Sequence, residues 1–275
     1  MPRGEAGRQA GVRCYNITML LTVDAGNTNI VFGLFKRKKL VSEWRYPTED
    51  YRPPKIGKKI DSIVVASVVP SLNRQLKLVL KKKFGCQPFF VTAENIPGLI
   101  VSLKNKKEIG SDRVVDALAA YKLFGGPTII IDFGTATTFD VVSAEGAYLG
   151  GVIAPGISLA RDALYEQTEK LPKIEIEAPK RVIGNDTKSA MQSGLVYGYV
   201  AMVEGMVHRI KLQITNYKLQ TNSNSKFQNS KQKIKVIATG GLAQLICKYT
   251  TVVDRIDDKL TLKGLRIIAD YVEMG

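Results

Sequence analysis

Two stretches of this chain are built alike. Residues 19–35 read MLLTVDAGNTNIVFGLF and residues 128–142 read TIIIDFGTATTFDVV. Each runs a short apolar strand into Asp-x-Gly, passes through small hydroxyl or amide residues, and continues into a second apolar, β-branched strand. The two aspartates stand at positions 24 and 132, an offset of 108 in a chain of 275 residues. A repeat at that separation predicts a duplicated fold, with one cleft between two lobes.

The segments between the repeats support an α/β class. KIDSIVVASVVP at 59–70 contains a buried strand ended by Pro70. Residues 71–85 carry apolar positions at helical spacing, with Ser71 as the expected N-cap and Gly85 as the stop. PFFVT at 88–92 reads as a strand, and Gly110-Ser111-Asp112-Arg113 opens a helix. After the second repeat, YLGGVIAPG is expected to turn at Gly-Gly and Pro-Gly before another helix. A long helix follows from about residue 185, with Gly194, Gly198, Ala201 and Gly205 at three- or four-residue spacing. Interior glycines cost a helix about 1 kcal/mol each, so this stripe predicts close approach of another helix, across a dimer for example. KVIATGGLAQLI reads as strand, Gly240-Gly241 turn and helix, and backbone at such a turn can lie under an adenine or ribose.

These readings divide the chain into an unstructured extension over 1–18, a first lobe over 19–127 and a second lobe over 128–275. The second lobe carries an exposed, mobile polar loop at 216–233. The first 18 residues lack the apolar core of a secretory signal, and Met19 is the expected working start. No run of 18 apolar residues occurs, so no membrane helix is expected. The cysteines, Cys14, Cys86 and Cys247, form no CxxC pair, which argues against a disulfide framework or zinc site and fits a reducing cytoplasm. The only histidine, His208, sits where an amphipathic helix is expected and reads as structural, and a single histidine excludes multi-histidine metal sites. The net charge of +15 is spread over several lysine clusters without aromatic interleaving. It reads as a solvated surface rather than a nucleic-acid face.

Each repeat has the chemistry of a phosphate-binding turn. Gly26 and Gly134 let backbone N–H groups approach an anion. Asn27, Thr28, Thr135 and Thr137 add side-chain donors. An Asp at the strand end offers a hard oxygen ligand to a cation or its water shell. One such turn alone would read better as a plain hairpin; two copies after buried strands shift the balance. Asp112 could accept a proton from a hydroxyl group, with helix-terminal N–H donors and Arg113 holding an anionic or amide-rich substrate. It could also simply cap its helix, with Arg113 in a surface ion pair.

In order along the chain stand DAGNTN at 24–29, GSDR at 110–113, DFGTATTFD at 132–140, GGVIAPG at 150–156, NDT at 185–187 and TGG at 239–241. This ordered set resembles type III pantothenate kinase, of the acetate and sugar kinase, Hsp70 and actin superfamily, over roughly residues 19–272. The resemblance implies a duplicated actin-like ATPase (ribonuclease H-like) fold, ATP-dependent phosphorylation of pantothenate, magnesium with the ATP, a monovalent cation (K+ or NH4+) and a homodimer. It implies ATP contacts at Asp24, Ala25, Gly26, Asn27, Thr28, Asn29, Ile30, Val31 and Thr135, with Asp24 indirectly at magnesium. It implies Asp112 as catalytic base, Gly110, Ser111, Asp112, Arg113 and Thr187 at pantothenate, and Asp132 at the monovalent cation. The chain departs from the family pattern at Leu103, where a tyrosine is usual, at Lys106 in place of a proline, and at Asp116 in place of an asparagine. The alternative is a regulatory or nucleic-acid-associated protein that retains the fold. Three cleft carboxylates have no evident use in a pure binding module.

Overall fold

The computed structural model of the protein describes residues 17–220 and 233–272. The first repeat forms an antiparallel pair, β1 (Met19–Ala25) and β2 (Asn29–Lys36), and β3 (Lys39–Pro47) continues the sheet on its outer side. The chain crosses to β4 (Ser62–Ser67), parallel to β1, then through α1 (Pro70–Phe84) to the two-residue β5 (Phe89–Phe90). The sheet order is β3-β2-β1-β4-β5. Helix α1 starts at Pro70 rather than being capped by Ser71, because the proline ring presets φ and its missing N–H is not needed there. Gly85 ends it in the left-handed conformation, as expected.

A short strand β6 (Ile100–Val101) and helix α2 (Ser111–Phe124) lead to the second repeat, β7 (Thr128–Phe133) and β8 (Ala136–Val142), again antiparallel. Then come β9 (Ala147–Pro155), α3 (Ile157–Glu166), α4 (Thr187–Gln220), β10 (Lys235–Thr239), α5 (Ala243–Ile246), β11 (Arg255–Ile256) and α6 (Leu260–Val272). The second sheet reads β9-β8-β7-β10-β11 in the order that matches the first, with β6 added beside β9. The expected duplication is therefore present as strand order, direction and pairing.

Alternation along the strands sorts the cores. In β1, Met19, Leu21, Val23 and Ala25 pack with Leu76 and Leu80 of α1, while Leu20 faces a central layer holding α2 and α6. In β7, Ile130 enters the same central layer, and Ile129, Ile131 and Phe133 pack against α3, α4 and α5. The molecule is thus five layers deep: helix, sheet, helix pair, sheet, helices. Asp24 and Asp132 share their strand faces with Leu20 and Ile130, so both point into the central layer where the sheets approach each other.

Three further sequence expectations change. Gly150-Gly151 is not a turn but part of β9. A Cβ on Gly151 would sit 1.9 Å from the Phe139 carbonyl oxygen and 2.7 Å from Arg113 Nη2, so glycine lets strand and guanidinium close together. Helix α4 runs through residue 220, so residues 216–220 are helical, and 221–232 of the expected loop lie outside the described residues. The expected extension also lies outside them except at its end, where Ile17 is buried in the central core.

Candidate active site

The first turn is drawn tight by a bond from the Gly26 N–H to the Asn29 carbonyl (2.9 Å), the second by one from Gly134 N–H to Ala136 carbonyl (3.1 Å). Across the cleft the two turns meet: the Thr28 and Thr135 hydroxyls lie 2.8 Å apart and are exposed. The duplication therefore places its two donor-rich turns face to face. Thr48, just beyond β3, braces the first turn, donating its hydroxyl to the Gly26 carbonyl (2.7 Å) and its N–H to the Thr28 carbonyl (3.0 Å). Within 24–31, Ala25, Ile30 and Val31 are buried core side chains, leaving their backbone as the part that can face a ligand. Asp24, Gly26, Asn27, Thr28 and Asn29 keep exposed surface.

Five carboxylates act on one another here. Asp24 ends β1, Asp132 lies in β7, Asp140 lies in β8, and Asp112 and Asp116 stand one turn apart on α2. Burial pushes Asp24 up to about 7, Asp112 adds to the rise, and Arg45 pulls against it. Asp132 is likewise pushed up to about 7, first by burial and then by Asp112, Asp24 and Asp140. Asp112 is raised by burial, opposed by the Arg113 N–H bond to its Oδ1 (2.8 Å). Such shifts mark groups brought together at a cost in solvation, which is the usual signature of a working cleft.

The helix start is fixed on both sides. Ser111 Oγ donates to the Ser67 carbonyl (3.0 Å) and accepts from the Ser67 N–H (2.8 Å), tying α2 to the end of β4. Gly110 carries no Cβ because one would stand 2.5 Å from Asp112 Oδ1. Of the expected pantothenate contacts, Ser111 is thus buried and committed to Ser67. Arg113 is committed too: its Nε donates to Asp140 Oδ1 (2.9 Å), and Nη2 lies 2.7 Å from the same oxygen, off the hydrogen-bond axis, as an ion-pair contact. Asp140, 2% exposed, also accepts from Tyr148 Oη (2.6 Å) and Thr138 Oγ1 (3.2 Å). Burial still raises Asp140 against the pull of Arg113. Thr187, the first residue of α4, is exposed, and the contacts that hold the carboxylate cluster do not include it.

Asp116 is 3% exposed. One of its oxygens accepts from Thr261 on α6, while Oδ1 is buried with no partner. Burial and Asp132 raise it well above the ordinary carboxylate range. Among the described residues no group of three His, Cys, Asp or Glu closes into a metal cage. The donor set nonetheless suits a cation shared with a ligand: two partly exposed carboxylates, Asp24 and Asp132, each destabilised by negative neighbours, beside turns that can hold phosphate. Gly240, at φ +92°, passes so near Asp132 that a Cβ would lie 2.4 Å from Oδ1, so the Gly-Gly turn also borders the site.

Sequence reasoning did not find Arg45, Thr48 or Ser67. Each acts through strand register or a backbone bond, which no local motif marks. Leu103 packs at the central core near Gly150, with its Cδ2 3.5 Å from where a Cβ would be.

A family model described as type III pantothenate kinase matches residues 20–209. The chain is 40% identical over 265 residues to a type III pantothenate kinase of Moorella thermoacetica, covering 91% of this chain and 98% of that one. It is 42% identical over 265 residues to one of Halalkalibacterium halodurans, with the same 91% and 98% coverage. Among solved structures it is similar to a Baf family protein of Campylobacter jejuni, with TM-score 0.59, 19% identity and 92% and 98% coverage. It is also similar to MreB 5 of Spiroplasma citri bound to AMPPNP, with TM-score 0.50, 11% identity and 93% and 97% coverage. At those identities the structures speak for the actin-like fold alone. The family match and the two relatives reach across most of the chain and through both Asp-x-Gly turns, so this chain belongs to the type III pantothenate kinase family.

Proposed function

We propose that this chain transfers the terminal phosphoryl group of ATP to the primary hydroxyl of pantothenate, giving 4′-phosphopantothenate, the first step of coenzyme A synthesis. The observation that carries this reading is the meeting of the two turns at Thr28 and Thr135 beside Asp24, Asp112 and Asp132. Phosphoryl transfer needs positioning and charge neutralisation more than covalent help from the protein. The turn at 24–29 and Thr135 hold the phosphates through N–H and hydroxyl donors. Asp112 takes the hydroxyl proton of pantothenate, and burial raises its affinity for a proton. Arg113, locked by Asp140, is a fixed positive edge beside that base, and Gly110 and Thr187 complete the pantothenate contacts.

Asp24, indirectly, would hold magnesium and Asp132 a monovalent cation (potassium or ammonium), and these would supply positive charge against the phosphates and the clustered carboxylates. Asp24 and Asp132 repel each other when both ionise, which favours such binding. The lobes divide near residue 127, with β6 and α6 crossing between them. The chain works as a homodimer in the cytoplasm. The dimer reading rests on the open stripe of α4, where a Cβ on Gly194, Gly198 or Gly205 would meet nothing within 4 Å. Beside it lies an apolar groove of about 890 Å³ lined by α3 and α4 residues such as Leu159, Leu164 and Met191. Among the described residues no helix is long and apolar enough to cross a membrane.

The test is phosphorylation of pantothenate by the purified chain with ATP and magnesium, in potassium and in sodium, with the product identified by mass. Formation of 4′-phosphopantothenate that needs magnesium and runs faster in potassium is the expected result. Folded protein that leaves pantothenate unchanged in both salts contradicts the reading.

A further inference from the structure

The cleft is short of positive charge. Five carboxylates surround the place proposed for a polyanionic nucleotide, and Arg113 is already consumed by Asp140. Arg45 is different. It stands in β3 directly across from Val31, which stands directly across from Asp24 in β1. Residues opposite one another in a sheet share a face, so Arg45 lies on the cleft-side face, about 10 Å from Asp24 at two strand spacings. Val31 between them is small and buried, so the arginine stem can lie over it and carry the guanidinium toward the first turn.

An exposed arginine on an edge strand is ordinarily a solvated charge that discourages strand pairing. Two observations separate Arg45 from that case. Glu43, two residues earlier on the same face, is paired with Lys259. Arg45 makes no ion pair or side-chain hydrogen bond among the described residues and is not otherwise engaged. Its field nevertheless reaches the carboxylate of Asp24. The end of β3 is also fastened to the turn, because Thr48 bonds the Gly26 and Thr28 carbonyls. The backbone that carries Arg45 is therefore fastened to the first turn, with the guanidinium on a long side chain that can reach the donor groups of residues 26–28.

We propose that Arg45 binds the phosphate chain of the nucleotide, acting as the protein's own cation over the first Asp-x-Gly turn. This rests on the reading that the cleft takes ATP. A planar guanidinium with several N–H donors suits phosphate oxygens better than a lysine does.

The test is calorimetric titration of the full chain, and of Arg45→Gln and Arg45→Lys, with magnesium-ATP and separately with adenosine at fixed salt. For Arg45→Gln the expected result is ATP affinity about 10- to 100-fold weaker, with adenosine affinity unchanged and Arg45→Lys between the two. ATP affinity within about twofold of the parent overturns the proposal, as does an equal loss for adenosine, which would signal a damaged fold. Unchanged ATP affinity with a raised KM for pantothenate would assign Arg45 to the pantothenate carboxylate and overturn it as well. A parent chain that binds ATP yet leaves pantothenate unphosphorylated sinks the proposed function while the affinity comparison still decides Arg45.

Discussion

Asp132 and Asp24 each carry a carboxyl group whose proton affinity is raised to about 7, first by burial and then by Asp112, with Asp24 and Asp140 adding to the rise of Asp132. The sign of the effect on stability follows from proton counting. Between the ordinary carboxylate value of 3.8 and about 7, the folded chain holds protons that the unfolded chain has released. Stability from these groups is therefore full at the acid end of that window and is lost as pH rises through about 7. In buffer free of magnesium and potassium, Tm should fall between pH 5.5 and 7.5. Asp132→Asn should flatten that fall and raise Tm at pH 7.5. Thermal unfolding of the two proteins side by side decides this, and parallel pH profiles would contradict it. Other carboxylates, such as Asp254 beside Lys233, are shifted the opposite way, so the difference between the proteins is the informative quantity.

At the scale of elements, α4 makes the clearest case. Thirty-four residues of helix span about 50 Å, and glycines recur along an exposed face. The start of α4 is well made: Asp186 Oδ1 accepts the Ser189 N–H at 2.8 Å. Among the described residues nothing lies within 4 Å of a Cβ built on Gly194, Gly198 or Gly205, and the second copy proposed above would give the glycines a physical reason. Gly198→Arg should leave the fold intact, since its Cβ meets nothing within 4 Å, and should shift the protein from dimer to monomer. Sedimentation equilibrium reads the mass directly, and an unchanged dimer would place the interface elsewhere. The stripe was legible in the sequence because glycine at helical spacing is costly without a partner. The role of Gly150-Gly151 was not legible, since a glycine pair reads the same in a turn and in a strand pressed against Phe139 and Arg113. Nor was the start of α1, where Pro70 took the place that Ser71 had seemed to mark.

At the scale of the whole molecule, the duplication organises the rest. It was readable because both repeats keep their Asp-x-Gly turn between apolar strands, and the matching strand orders follow from it. Less readable were the crossings. β6 comes from the first half of the chain but pairs with β9, and α6 from the end of the chain packs on β1 and β4 as well as α2. Such contacts depend on where three-dimensional layers meet, and a two-residue strand such as Ile100–Val101 carries too little pattern to announce its partner. The site shows the same division. Asp24, Asp112 and Asp132 stand in local motifs and could be picked out singly. The bracing by Thr48 and Ser67, and, among the described residues, the unpartnered Oδ1 of Asp116 and the unpaired guanidinium of Arg45, emerge only from register and packing. In the proposed reading these features make a kinase cleft in which α2, wedged between the two sheets, presents Asp112 to the two turns proposed to hold phosphate.

The most direct test of that account is the turnover of Asp112→Asn beside the parent chain, with magnesium-ATP affinity measured on both. The account predicts normal folding, retained ATP binding and a fall in pantothenate phosphorylation of about 10²- to 10⁴-fold. Near-parental turnover in the variant would contradict it, because the helix start would then be a structural cap and the base would have to be sought elsewhere.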